Sequence, residues 1–174
     1  MFTIEEADDR RGKRLVATGQ LSPDDFRKIA QALGSQRARK TGLVAARVSE
    51  RAETVETHWD GEETINKTSP GDWLVTNLSP SGAVLRDQQG HENTYVIRAA
   101  SFPAMYDAQP GQNEFGRMFK AKGTVEAVRL PGGFEIVAPW GEKQVAPAGY
   151  LVLNGDSVYG NNAQTFEATH EMID

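Results

Sequence analysis

Three histidines, His58, His91 and His170, and one turn carboxylate, Asp72, are the side chains here whose chemistry could reach beyond packing. An imidazole titrates near neutrality and can move a proton in either direction, and a carboxylate can accept one. His58 sits in the densest polar cluster, His58-Trp59-Asp60-Gly61-Glu62-Glu63, which reads as the tip of a hairpin. In an alternating strand His58 is equally the outward neighbour of an inward Trp59. Asp72 follows Pro70-Gly71 and is either a ligand-binding or general-base carboxylate, or the group that fixes its own turn by accepting backbone N–H bonds. His91 lies in a polar stretch with Arg86, Asp87, Glu92 and Asn93. The three histidines form no HxxxH or HExxH pair, so no metal site is expected. There is no cysteine, which excludes disulfides, thiolate nucleophiles and zinc–thiolate centres. No GxxxxGK[ST] or GxGxxG loop is present to cradle a phosphate, and no cofactor is expected.

Charge narrows the partners. The 174 residues carry 24 acids against 19 bases, a net charge of -5. Broad contact with nucleic acid needs the opposite balance. Two short basic runs, Arg10-Arg11-Lys13-Arg14 and Arg37-Arg39-Lys40, read as solvated surface or as a local contact for a phosphate or acidic partner. Met1 to Asp9 is acidic and lacks the apolar stretch of a signal peptide, and no run approaches the roughly 18 apolar residues of a membrane span. The expectation is a cytoplasmic protein with a small-molecule or protein partner, a homo-oligomer being left open.

The elements that must position these residues are mostly strands. Ser22-Pro23-Asp24-Asp25 starts a helix, with Ser22 as cap and Pro23 in the first turn, and Phe26, Ile29, Ala30 and Leu33 give it one apolar stripe up to Gly34. From Gly42 onward the period falls to two, in Val44-Ala46-Val48 and Thr54–Trp59, and Trp73–Thr76 after the Pro70-Gly71 turn and Thr94–Ile97 read as further strands. Phe102–Tyr106 suits a short helical turn, Gln109–Asn113 a linker, and Thr165–Met172 a helix.

The order of elements then repeats. Gly42 and Trp59 are spaced as Gly123 and Trp140 are, with Val44 and Ala46 matching Val125 and Ala127. Pro70 to Asn77 matches Pro147 to Asn154, and Tyr95, Ala99, Phe102 and Ala104 match Tyr159, Ala163, Phe166 and Ala168. A stretch around 79–93 is extra in the first copy, the kind of added loop where function often sits. The fold expected is α+β and strand-dominated: two pseudo-repeated small antiparallel β-units, each closed by a short helix, plus an N-terminal helix. The divisions are an N-terminal segment 1–40 with its helix at about 23–34, a first β-rich repeat 41–109 and a second 118–174.

Pro70-Gly71-Asp72-Trp73-Leu74-Val75, followed by Tyr95 and by Phe102 to Tyr106, resembles a small bacterial and phage domain family named for its Pro-Gly-Asp-Tyr-Gly motif. Trp73 stands at the family's Tyr and Leu74 at its second Gly, and the second copy has Ala148-Gly149 for Gly-Asp. The resemblance implies a shape of turn, strands and closing helix, and no mechanism.

Three functions are compatible with these residues. The first is a non-enzymatic binding module that takes a small molecule or nucleotide-like ligand at a cleft between the repeats. Trp59, Trp73, Tyr95, Trp140, Tyr150 and Tyr159 would line that cleft, with Arg86 from the insertion; the same aromatics equally suit the core of each repeat. The second is a protein-interaction or inhibitor domain of a bacterial conflict system, with a basic partner. The third is a small hydrolase or transferase using Asp72, His58 and His91.

Overall fold

The computed structural model describes residues 1–8, 11–59, 62–139 and 141–173, without the side chains at 59 and 62–64. Strands take 55% of the chain and helices 13%, so the class is α+β with strands dominant. In chain order the elements are β1 (Phe2–Glu6), β2 (Lys13–Gln20), α1 (Pro23–Leu33), β3 (Gln36–Lys40), β4 (Leu43–Val48), β5 (Thr54–Trp59), β6 (Glu62–Lys67), β7 (Trp73–Leu78) and β8 (Thr94–Ile97). They continue as α2 (Phe102–Met105), β9 (Tyr106–Asn113), β10 (Gly116–Ala121), β11 (Thr124–Leu130), β12 (Phe134–Val137), β13 (Lys143–Ala146), β14 (Gly149–Asn154), β15 (Ser157–Asn162), α3 (Ala163–Thr169) and β16 (His170–Ile173).

The chain divides into two compact units. One joins Met1–Lys40 to Thr124–Asp174; the other is Thr41–Gly123. Residues 1–40 are therefore part of the first unit, because β3 pairs antiparallel with β11, Ala38 opposite Val125. The expected linker Gln109–Asn113 lies in β9, which pairs with β10, and β10 pairs with β4. The expected helix over Thr165–Met172 stops at Thr169, and His170–Ile173 leaves it to pair with β3.

In the discontinuous unit a five-stranded sheet runs β15-β14-β11-β3-β16. A second sheet runs β1-β2-β12-β13, in which β2 and β12 are parallel. Helix α1 forms as its sequence dictates. The Ser22 hydroxyl accepts from Asp25 N and the Asp25 carboxylate from Ser22 N, a reciprocal cap, and the stripe buries Phe26 and Ile29. These two join Leu15, Val128, Leu130, Phe134, Ile136, Leu151 and Val158 in the unit's main core. The Phe134 ring lies over Gly149 and Gly160, where a side-chain Cβ would overlap it. A second cluster of Ala38, Val125, Ala127, Tyr150, Val152 and Phe166 is separate from it. Lys13 and Arg14 of the first basic run lie in β2 and form ion pairs at its surface, Lys13 with Glu6 at 2.7 Å and Arg14 with Glu135 at 3.3 Å.

In the continuous unit the sheet runs β8-β7-β4-β10-β9, with β5 and β6 as a separate hairpin. Its core is Val44, Ala46, Val75, Ile97, Phe102 and Phe119, with Trp73, Tyr95, Met105 and Tyr106 packed on it. Ala46 lies opposite Val75 and Val75 opposite Tyr95. In the other unit Ala127 lies opposite Val152 and Val152 opposite Tyr159.

Candidate functional site

Residues 79–93 join β7 to β8, whereas Gly155-Asp156 alone join β14 to β15. The longer connection folds on itself locally. Asp87 Oδ1 accepts from Gln89 N and His91 N, both at 2.9 Å, the short-range bonding for which Asp is favoured in turns. Gly90 closes the turn at φ 87°, a conformation open to Gly at no steric cost. Arg86 Nη1 donates to Gly90 O at 3.0 Å and to Glu92 Oε2 at 3.2 Å, tying the two arms together.

This turn brings His91 to β5. The rings of His58 and His91 lie 5.4 Å apart, tilted by 32°. Asp87 Oδ2 is 3.3 Å from His91 Nδ1, with the carboxylate almost wholly buried and the imidazole 43% exposed. On β5, His58 Nε2 is 3.9 Å from Glu56 Oε2, and His58 is likewise 43% exposed. Beneath them the Thr57 hydroxyl donates to the Thr94 carbonyl, and the Thr94 and Thr76 hydroxyls are 2.7 Å apart. Two accessible imidazoles, one braced by a carboxylate, can together donate to and accept from one small polar ligand, or pass a proton. Among the described residues no group of three or more His, Asp or Glu side chains is arranged to hold a metal ion.

Asp72 is elsewhere and differently employed. Oδ2 accepts from Ser69 N at 2.9 Å and Arg98 Nη1 at 2.8 Å, and Oδ1 from Ala99 N at 3.0 Å. The Ser69 N–H, then Arg98 and the Ala99 N–H, hold its pKa below the usual carboxylate range, which makes it a poor base. It ties the turn before β7 to the segment after β8. Beside it the buried Ser49 hydroxyl meets Glu53 Oε2 at 2.5 Å and Thr68 Oγ1 at 3.0 Å, and Gly71 N donates to Ser49 O at 2.8 Å.

The aromatic candidates are occupied within their own units. Trp73 stacks on Phe102 at 3.9 Å and meets Phe119 edge-on. The Tyr95 hydroxyl donates to Asn77 Oδ1 at 3.0 Å and meets the Tyr106 hydroxyl at 3.2 Å, and burial raises its pKa well above the ordinary value. Tyr150 stacks on Phe166 at 4.3 Å. The Tyr159 hydroxyl accepts from Asn154 Nδ2 at 3.5 Å. The Trp59 side chain and Trp140 lie outside the described residues. Sequence reasoning named His58, His91 and Arg86 but gave Asp87 no role; the signal for it was the Asp-x-x-Gly-His spacing, which favours a self-bonded turn.

No family model, no curated protein and no solved structure matches the chain.

Proposed function

We propose that the chain is a binding module whose small, polar ligand is held in the continuous unit, where the 79–93 connection meets β5. The observation that carries this is the His58–His91 pair with Asp87 behind His91. The two units are, on this reading, diverged copies of one fold. Their sheets share strand order and register, and Val44, Ala46, Trp73, Val75 and Phe102 sit in one core as Val125, Ala127, Tyr150, Val152 and Phe166 do in the other.

Leu74 and Leu151 match on the opposite sheet face, but four other matched positions there differ in kind. Val128, Leu130, Leu153 and Val158 pack in or against the main core of one unit. Their counterparts in the other are Arg47, Ser49, Thr76 and Thr94. A copy that keeps its shared core while exchanging apolar for polar residues on one face is suited to polar recognition. The Pro-Gly-Asp resemblance belongs to the same reading, with Asp72 as the strut of the scaffold and not as a site residue.

A thermal-shift screen of nucleotides, sugars, amino acids and other small polar metabolites tests it. A ligand at a hundred times its dissociation constant stabilises the fold by about 2.7 kcal/mol. The shift should vanish in His58→Ala and His91→Ala and survive in Tyr150→Phe. A hit that both histidine variants still bind would overturn the site.

The 3.3 Å approach of Asp87 to His91 also favours a second reading, acid–base catalysis by a carboxylate-oriented imidazole. Turnover of ester or phosphoester substrates that falls at least about tenfold in Asp87→Asn would establish it.

A further inference from the structure

We infer that the outer edge of β5 accepts an extended, basic strand from a partner protein, running parallel to β5. The precedent lies within the same chain. In the discontinuous unit, β12 is the strand that follows β11 and turns into β13; in the continuous unit, β5 holds that place after β4 and before β6. The edge of β12 away from β13 is covered by β2 in parallel, with Phe134 opposite Leu15, Glu135 opposite Val16 and Val137 opposite Gln20. The cover is also electrostatic, since Arg14 of β2 reaches Glu135 of β12 at 3.3 Å. Among the described residues no strand forms a ladder with β5 except β6, and β8 meets it only through the Thr57 hydroxyl, which donates to the Thr94 carbonyl.

An open edge presents a row of unpaired N–H and C=O groups, and proteins normally blunt it with Pro, Lys or a bulge. The edge strand β9 has such devices: Pro110, and a register shift against β10. Strand β5, Thr-Val-Glu-Thr-His-Trp, has no Pro and no Lys, and it pairs with β6 in unbroken register. An exposed sheet edge of this kind binds peptide by adding a strand.

Charge selects the occupant. Residues 54–67, which span β5 and β6, carry Glu56, Asp60, Glu62 and Glu63 against Lys67 alone. The β2 segment that covers the corresponding edge begins Lys13-Arg14-Leu15-Val16. The fitting partner segment therefore has two or three Lys or Arg beside alternating apolar residues. This inference rests on the pairing of β5 and not on the histidine site, so either can fail alone.

The test is an amide NMR titration of the full chain with a synthetic peptide copying residues 11–21, and with a second peptide in which the counterparts of Arg11, Lys13 and Arg14 are Glu. The basic peptide should shift the amides of 54–59 and slow their hydrogen exchange. The acidic peptide should bind at least about tenfold more weakly. Glu56→Lys, at a 60% exposed side chain, should weaken the basic peptide several-fold while leaving the other amide shifts in place. No change at 54–59 with millimolar peptide, changes confined to 134–137, or equal binding of the two peptides would each overturn the proposal.

Discussion

Arg98 reaches Asp72 at 2.8 Å, joining the end of β8 to the turn that opens β7. Every contact of that carboxylate favours its ionised form, so its pKa is lower folded than unfolded. Its contribution is complete above the unfolded value near 3.8 and is lost as pH falls through the folded one. Denaturant titrations of Asp72→Asn and the parent should differ at pH 7 and converge towards pH 2. Equal midpoints at pH 7 would show the strut to be idle.

His170 gives the opposite kind of pH dependence in origin but the same sign. Its ring stacks on Phe166 at 4.0 Å, Nδ1 faces Phe166 O at 3.1 Å and Thr169 Oγ1 at 2.9 Å, and Nε2 is buried without a partner. Burial, with nearby Lys40, lowers its pKa below 6.5, against the smaller pull of the Phe166 carbonyl. Stability is therefore full above pH 6.5 and declines as pH falls towards the folded value. His170→Phe should keep the stack and remove the orphaned nitrogen at the loss of the Nδ1 contact to the Phe166 carbonyl, so its net effect above pH 6.5 should stay within about 1 kcal/mol. It should also flatten part of the melting-temperature slope below pH 6.5.

Tyr95→Phe removes the hydroxyl that links Asn77 to Tyr106 and leaves the ring. The expected cost is about 1 kcal/mol, read from chemical denaturation. Tyr106→Phe in the Tyr95→Phe background should cost less than it does alone, because the bond it would break is already gone.

Phe134→Ala should cost about 3–5 kcal/mol, since a buried ring leaves a cavity. Gly160→Ala should also destabilise, because a Cβ there would lie 2.5 Å from the ring. The two should couple: in the Phe134→Ala background the Gly160→Ala penalty falls. Additive effects in a double-mutant cycle would refute the contact.

Local signals carried much of the fold. Ser22, Pro23 and Asp25 announce α1, and the alternation at Val44–Val48 and the run Trp73–Thr76 after the Pro70-Gly71 turn announce β4 and β7. Three strands in the first 40 residues were not legible. The basic runs Lys13-Arg14 and Arg37-Arg39-Lys40 did not announce β2 and β3, because those strands are placed in part by residues more than 80 positions away, in β12 and β11. Pro110 disguised β9 as a linker, being tolerable only on the edge strand that β9 is. For the site, His58 and His91 were visible as residue types, but their proximity was not: it follows from the turn that Asp87 and Gly90 impose.

Unit boundaries also set an order of events during synthesis. Strand β3 and helix α1 leave the ribosome about eighty residues before β11, the strand that β3 must pair with. The whole continuous unit emerges in that interval, and it can close its own sheet while β1, β2, α1 and β3 still wait for theirs. Strands β1, β2 and β3 are thus made before the continuous unit yet sequestered after it, and a chaperone or a stray strand edge has that interval in which to find them.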